Sequence, residues 1–256
     1  MDLDDAYANA AHIPGGGDYP ARWAAAAAAF RAAHPPETVR YGEHPRAWLH
    51  LFRPPAAPRG LAVLVHGGYW MAFSPFDFSH LAAGALARGW AVALPAHPLC
   101  PEASVGGIVR AVARAADAAA ARVAGPVAVA GHSAGGHIAA RLACADVALL
   151  CRPRLARALP VSPLANLLPL RRTAMNDTLR LSVAEAAAES PVLRPRPPVP
   201  VRVHVGGAER PAFRLQADWL ARAWGAPLAV EEGRHHFDVI EALEDPGSAM
   251  CRALAP

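Results

Sequence analysis

The stretch Val127-Ala128-Val129-Ala130-Gly131-His132-Ser133-Ala134-Gly135-Gly136-His137-Ile138-Ala139-Ala140-Arg141-Leu142 decides the fold. It opens with an apolar run of strand length, turns through Gly131-His132-Ser133-Ala134-Gly135, and closes in a helix-forming run. A Gly-x-Ser-x-Gly between strand and helix needs a turn so tight that only glycine fits on either side of the serine. Such an elbow lifts the serine Oγ to the C-terminal edge of a sheet, where it can act as a nucleophile. An ordinary glycine-rich βα turn is the competing reading, and the flanking strand and helix weigh against it.

Working outward, similar β-like runs recur at residues 47–52, 61–65, 90–94, 158–161, 201–205 and 228–230. Helix-like stretches lie between most of them, at 78–88, 105–123, 133–144 and 212–224. Continuous apolar strands alternating with helices predict an α/β fold: a mostly parallel sheet of about eight strands with helices on both faces. The first two or three runs lack intervening helices and are expected to form an antiparallel start. The chain of 256 residues reads as one domain, residues 1–256. Residues 1–36 form an N-terminal arm with one helix, closed by Pro35-Pro36. Residues 162–200, with a helical piece at 183–189 and a proline-rich end, are predicted to be a small lid or pocket wall.

Composition removes several function classes. The formal net charge is +4, but every basic side chain is Arg and Lys is absent. A Schiff-base lysine, a Walker A loop and a Ser-Lys dyad are therefore excluded. The arginines are scattered, so no nucleic-acid partner is expected. The four cysteines, Cys100, Cys144, Cys151 and Cys251, have no C-x-x-C or metal-ligand spacing. Cys144 reads as a buried free thiol, and a reducing, cytoplasmic setting is expected. The acidic start lacks a basic leader region, and the alanine run at 24–29 is too short to span a bilayer, so no membrane partner is expected.

Serine is a weak nucleophile until an imidazole takes its proton and a carboxylate orients that imidazole. In this architecture acid and base follow the serine in that order, each on a loop after a late strand. Behind the run at 201–205 comes Gly206-Gly207-Ala208-Glu209, where Glu209 is the nearby carboxylate. Asp218 falls inside a helix, where a solvated face explains it. The final run leads to His235-His236-Phe237, after which no histidine remains. The residues alone leave the choice between His235 and His236 open. An oxyanion needs preorganised donors. The backbone of Ala134 supplies one, and Gly67, Gly68 and Tyr69 in His66-Gly67-Gly68-Tyr69-Trp70 supply the others, glycine allowing close approach.

Together these residues resemble an α/β-hydrolase of the kynurenine formamidase (arylformamidase) type, over nearly the whole chain. The marks are Ala6-Tyr7-Ala8-Asn9, Tyr41-Gly42, Leu51-Phe52, His66-Gly67-Gly68-Tyr69-Trp70 and Gly131-His132-Ser133-Ala134-Gly135-Gly136-His137. Pro169-Leu170, Thr173, Asn176, Ser190-Pro191, Val205-Gly206-Gly207-Ala208-Glu209, Phe213, Gln216 and His236-Phe237 continue them. The resemblance implies the α/β-hydrolase fold with a small lid, and selects His236, which directly precedes Phe, beside Glu209 as acid. It implies a serine hydrolase that cleaves N-formyl-kynurenine to kynurenine and formate, or in the alternative a general carboxylesterase. Tyr69, Trp70, His132 and Asn176 are expected along the substrate pocket. A small-molecule substrate is implied, with no cofactor and no metal, and homodimerisation is left open. His97, Pro163 and Arg172 depart from the family's usual residues at places expected near the pocket.

Overall fold

The computed structural model describes residues 2–256. Eight strands form one sheet: β1 (Glu37–Arg40), β2 (Trp48–Phe52), β3 (Leu61–Val65), β4 (Ala91–Pro95), β5 (Val127–His132), β6 (Leu155–Val161), β7 (Val203–Gly206) and β8 (Leu228–Glu231). Their order is β1-β2-β4-β3-β5-β6-β7-β8. β2 pairs antiparallel with β1 and β4, and every pairing from β4 through β3 to β8 is parallel. The antiparallel start therefore consists of β1, β2 and β4, while β3 crosses over to sit between β4 and β5. β1 lies outside the apolar runs because it is a short edge strand, Glu-Thr-Val-Arg, that buries Val39 alone.

The helices are α1 (Leu3–Tyr7), α2 (Tyr19–Ala33), α3 (Pro75–Phe78), α4 (Ala83–Ala87), α5 (Val105–Ala120), α6 (Ala134–Ala143), α7 (Asn176–Leu179), α8 (Val183–Ala188), α9 (Pro211–Trp224) and α10 (Ala249–Leu254). The single helix expected over 78–88 is broken into α3, a 3-10 turn at Ser79–Ala82 and α4. Ser74 starts α3 with a reciprocal capping box to Asp77.

Two apolar layers enclose the sheet. Strands β3 and β5 are buried along their whole length, as the central strands of a doubly covered sheet must be. Val63, Val65, Val127 and Val129 pack under α5 and α6, whereas Ala62, Leu64, Ala128 and Ala130 face a second layer with Trp23, Phe78, Trp90 and Ile240. Most of α5 is buried. Helix α2, with nine alanines in fifteen residues, anchors through Tyr19, Trp23 and Ala27, spaced four apart on one face.

The segment 162–200 packs onto the rest of the domain. Leu164, Ala165, Leu167, Leu170, Leu179 and Leu181 are almost fully buried against the core. The N-terminal arm, in contrast, crosses the C-terminal edge of the sheet. Tyr69 donates its hydroxyl to the Tyr7 carbonyl at 2.6 Å, and Gln216 donates to the Tyr7 hydroxyl at 2.8 Å. Asp5 pairs with Arg210. No helix among the described residues is long and apolar enough to cross a membrane, and the four cysteines are buried and free.

Candidate active site

The elbow follows from backbone crowding. Ser133 sits at φ 56°, ψ −117°, between the end of β5 and the first residue of α6. A Cβ at Gly131 would lie 2.2 Å from the Gly135 carbonyl oxygen, and one at Gly135 would lie 2.1 Å from that of Val65. Neither position accepts a side chain. The Ser133 N–H donates to Val161 O at 2.9 Å, which ties the turn to β6. Ala134 opens α6, so its N–H has no partner within the helix.

The loop after β3 reaches the same place. A Cβ on Gly67 would stand 3.1 Å from His132 O and 3.3 Å from Ser133 Cβ, so this backbone lies directly against the serine. Gly68 adopts φ 101°, and Tyr69 and Trp70 continue the left-handed bend at φ 50° and 58°. Non-glycine residues in that region are uncommon and store strain, a feature that clusters at functional sites.

Glu209 follows β7 and His236 follows β8, and the parallel pairing of these strands brings the two loops together. His236 Nδ1 and Glu209 Oε2 are 2.6 Å apart, and both side chains are almost wholly buried. Glu209 Oε1 accepts from Gly206 N–H at 2.7 Å and from the Ser162 hydroxyl. Burial alone would raise the Glu209 carboxyl. The neighbouring His236, the Ser162 hydroxyl and the Gly206 amide together outweigh it and hold the group below the usual carboxylate range. The His236 ring packs between Phe213, at 4.1 Å centroid distance, and His132, at 4.5 Å. With Nδ1 engaged by the carboxylate, Nε2 is the nitrogen left to exchange a proton.

The two neighbouring histidines have different partners in the fold. His235 Nε2 lies 3.1 Å from the Tyr19 hydroxyl, and its Nδ1 accepts from Phe237 N–H. It anchors the arm and has no contact with Glu209. Asp218 pairs with Arg222 on the surface of α9.

Ser133 and His236 open into one cavity of about 440 Å³. Gly67, Gly68, Tyr69 and His132 also line it, while Ala134 is buried beside it. Two expected pocket residues are elsewhere. Trp70 is 1% exposed and stands edge-on to His137 at 5.0 Å, because the left-handed backbone turns its ring into the core. Asn176 accepts from Leu181 N–H at 2.9 Å and holds its own loop, leaving Met175 to reach the cavity. His97, Pro163 and Arg172 do not line it either. His97 is buried in a stack on His66, 4.5 Å between centroids.

Most of the wall comes from residues that sequence reasoning did not single out as pocket: Tyr7, Asn9, Pro20 and Trp23 of the arm, with Phe73 and Phe78. Ser162 was missed as the second support of Glu209. A polar residue ending an apolar strand was its one signal. Among the described residues no group of three or more His, Cys, Asp and Glu is arranged to hold a metal ion. A serine, a carboxylate-oriented imidazole and backbone donors around one apolar cavity can together carry out acyl transfer to water.

The comparisons with known proteins agree with this architecture. The chain matches the alpha/beta hydrolase family over residues 62–253 and belongs to it. It is similar to the kynurenine formamidase of Salmo salar, 27% identical over 225 residues, 81% of this chain and 76% of the relative. A solved structure from Silicibacter sp. TM1040, provisionally assigned as a thioesterase, is 47% identical and superposes with a TM-score of 0.97, covering 100% of both chains. An esterase from Pyrobaculum calidifontis shares the fold at 20% identity, with a TM-score of 0.71 over 93% of this chain and 91% of the other.

Proposed function

We propose that the protein is a serine hydrolase that removes a formyl group from an aromatic amine, N-formyl-kynurenine being the substrate that the formamidase relatives suggest. Ser133 Oγ attacks the formyl carbon while its proton passes to His236 Nε2, and Glu209 stabilises the imidazolium that forms. The carbonyl oxygen becomes an oxyanion, held by the N–H groups of Ala134 and of Gly68 or Tyr69. As the C–N bond breaks, His236 returns the proton to the departing nitrogen. Water then attacks the formyl-serine, gives a proton to His236, and releases formate as Ser133 regains its hydrogen.

The observation that carries this reading is the bonded Glu209–His236 pair, whose imidazole lines the same cavity as Ser133. Trp23, Phe73, Phe78 and Phe237 supply apolar walls suited to an aromatic ring. A second reading, hydrolysis of small aryl esters, uses the same groups. One observation favours it: Asp4 is the one charged side chain besides imidazoles among the described lining residues, so no cation meets the α-carboxylate of formyl-kynurenine. Comparing kcat/KM for N-formyl-kynurenine and p-nitrophenyl acetate separates the two. Turnover of the ester with no turnover of the formamide would reject the first.

A further inference from the structure

One polar side chain on the cavity wall has no task within the fold. Asn9 lies on the arm, 8% exposed, and lines the cavity that also holds Ser133 and His236. Its Oδ1 is buried without a hydrogen-bond donor. Asn9 occupies the N-cap of the 3-10 turn Ala10–His12, a position where asparagine normally caps, yet its side chain makes no cap bond. Its backbone carbonyl alone serves the turn, accepting from His12 N–H at 2.9 Å. Buried polar atoms are almost always paired, and an orphan calls for an explanation.

The cavity wall also carries the polar side chains of Asp4, Tyr7, Trp23, Tyr69 and His132, and none of them donates to Asn9 Oδ1. The torsion that carries the amide is soft, so a modest turn presents Oδ1 to an occupant of the cavity. The arm that carries it is firmly held, by Tyr69 on the Tyr7 carbonyl and by Asp5 on Arg210. A fixed backbone with a turnable, unpartnered acceptor describes a recognition group.

We infer that Asn9 is a specificity-determining residue whose Oδ1 accepts a hydrogen bond from an N–H of the substrate's leaving group. It thereby favours aryl amides over the isosteric aryl esters, which lack that hydrogen. The inference rests on the acyl-transfer reading of Ser133 and His236 and adds which leaving group the cavity is built to take. A site made to pair with an N–H discriminates against the analogue without one, because its acceptor is then left unpaired.

The test compares formanilide with phenyl formate, which differ in N–H against O at the scissile position, on the wild type and on Asn9→Leu. The expected result is a fall of roughly tenfold in the formanilide to phenyl formate ratio of kcat/KM, the size of one neutral hydrogen bond. Asn9→Asp, which keeps an acceptor oxygen, restores most of the ratio. An unchanged ratio in Asn9→Leu, even with both substrates slowed together, overturns the inference, since that pattern belongs to a residue that only shapes the arm. Competition of formanilide against p-nitrophenyl acetate covers the case in which formanilide binds without being cleaved. Inhibition weakened by Asn9→Leu with no cleavage keeps the inference and ends the formamidase reading. Cleavage with an unchanged ratio does the reverse, and neither binding nor cleavage ends both.

Discussion

The Ser162 hydroxyl donates to the carboxylate of Glu209, at the oxygen opposite the one that meets His236. Ser162 closes β6 in a left-handed conformation, φ 47°, with its N–H on His204 O at 2.7 Å. The strained end of one strand thus fixes the acid that follows the next. Removing the donor in Ser162→Ala takes away one of the contacts that hold Glu209 low. The acid limb of the kcat/KM pH profile should move to higher pH, with kcat down by roughly tenfold, in line with one hydrogen bond to a charged group. An unshifted limb would place Ser162 outside the acid's support.

His235 and His236 are neighbours in sequence with separate duties in space. His236→Ala should remove turnover almost entirely. His235→Ala should keep most of it and lower stability by about 1 kcal/mol through the lost Tyr19 contact. Steady-state kinetics and thermal melts on both variants check the assignment, and comparable losses of activity would contradict it.

Trp70 tests where the pocket ends. Its ring is wholly inside the core, so Trp70→Ala should cost about 3–5 kcal/mol of stability, the usual penalty for a large buried aromatic. The relative kcat/KM for aryl substrates of different ring size should not change. A change in that preference with stability intact would return Trp70 to the cavity wall.

Much of this was legible in the chain because it is local. The run at 127–130 has no polar residue to place on a solvated face, and the glycines at 131 and 135 admit no Cβ. Ser133, Glu209 and the His235-His236 pair followed from the strand loops that carry them, whereas the choice of His236 came from the family resemblance. Other features were hidden because they depend on distant partners. β1 is mostly polar and becomes a strand only by pairing with β2. Trp70 was expected in the pocket because its side-chain direction depends on a backbone conformation that no pattern records. Tyr7, Asn9 and Trp23 reach the cavity because the arm folds across the sheet edge, a placement set by Asp5–Arg210 and Tyr69–Tyr7.

Acid sensitivity should arise from imidazoles buried in the elements that carry the site. Burial lowers His66 to about 4 and His137 to about 3, while an unfolded histidine titrates near 6.5. Between those values the unfolded chain binds more protons than the native one. Stability is therefore full above about pH 6.5 and declines as pH falls toward 4. Melting temperatures from pH 7 to pH 4.5 should drop steadily, and a flat profile would show that these imidazoles accept protons in place.

The central claim is best tested by labelling with a fluorophosphonate and locating the adduct by mass spectrometry. The account predicts a single adduct on Ser133, with labelling strongly slowed in Glu209→Gln and abolished in His236→Ala. No adduct in the folded wild type, or an adduct on another serine, would contradict it.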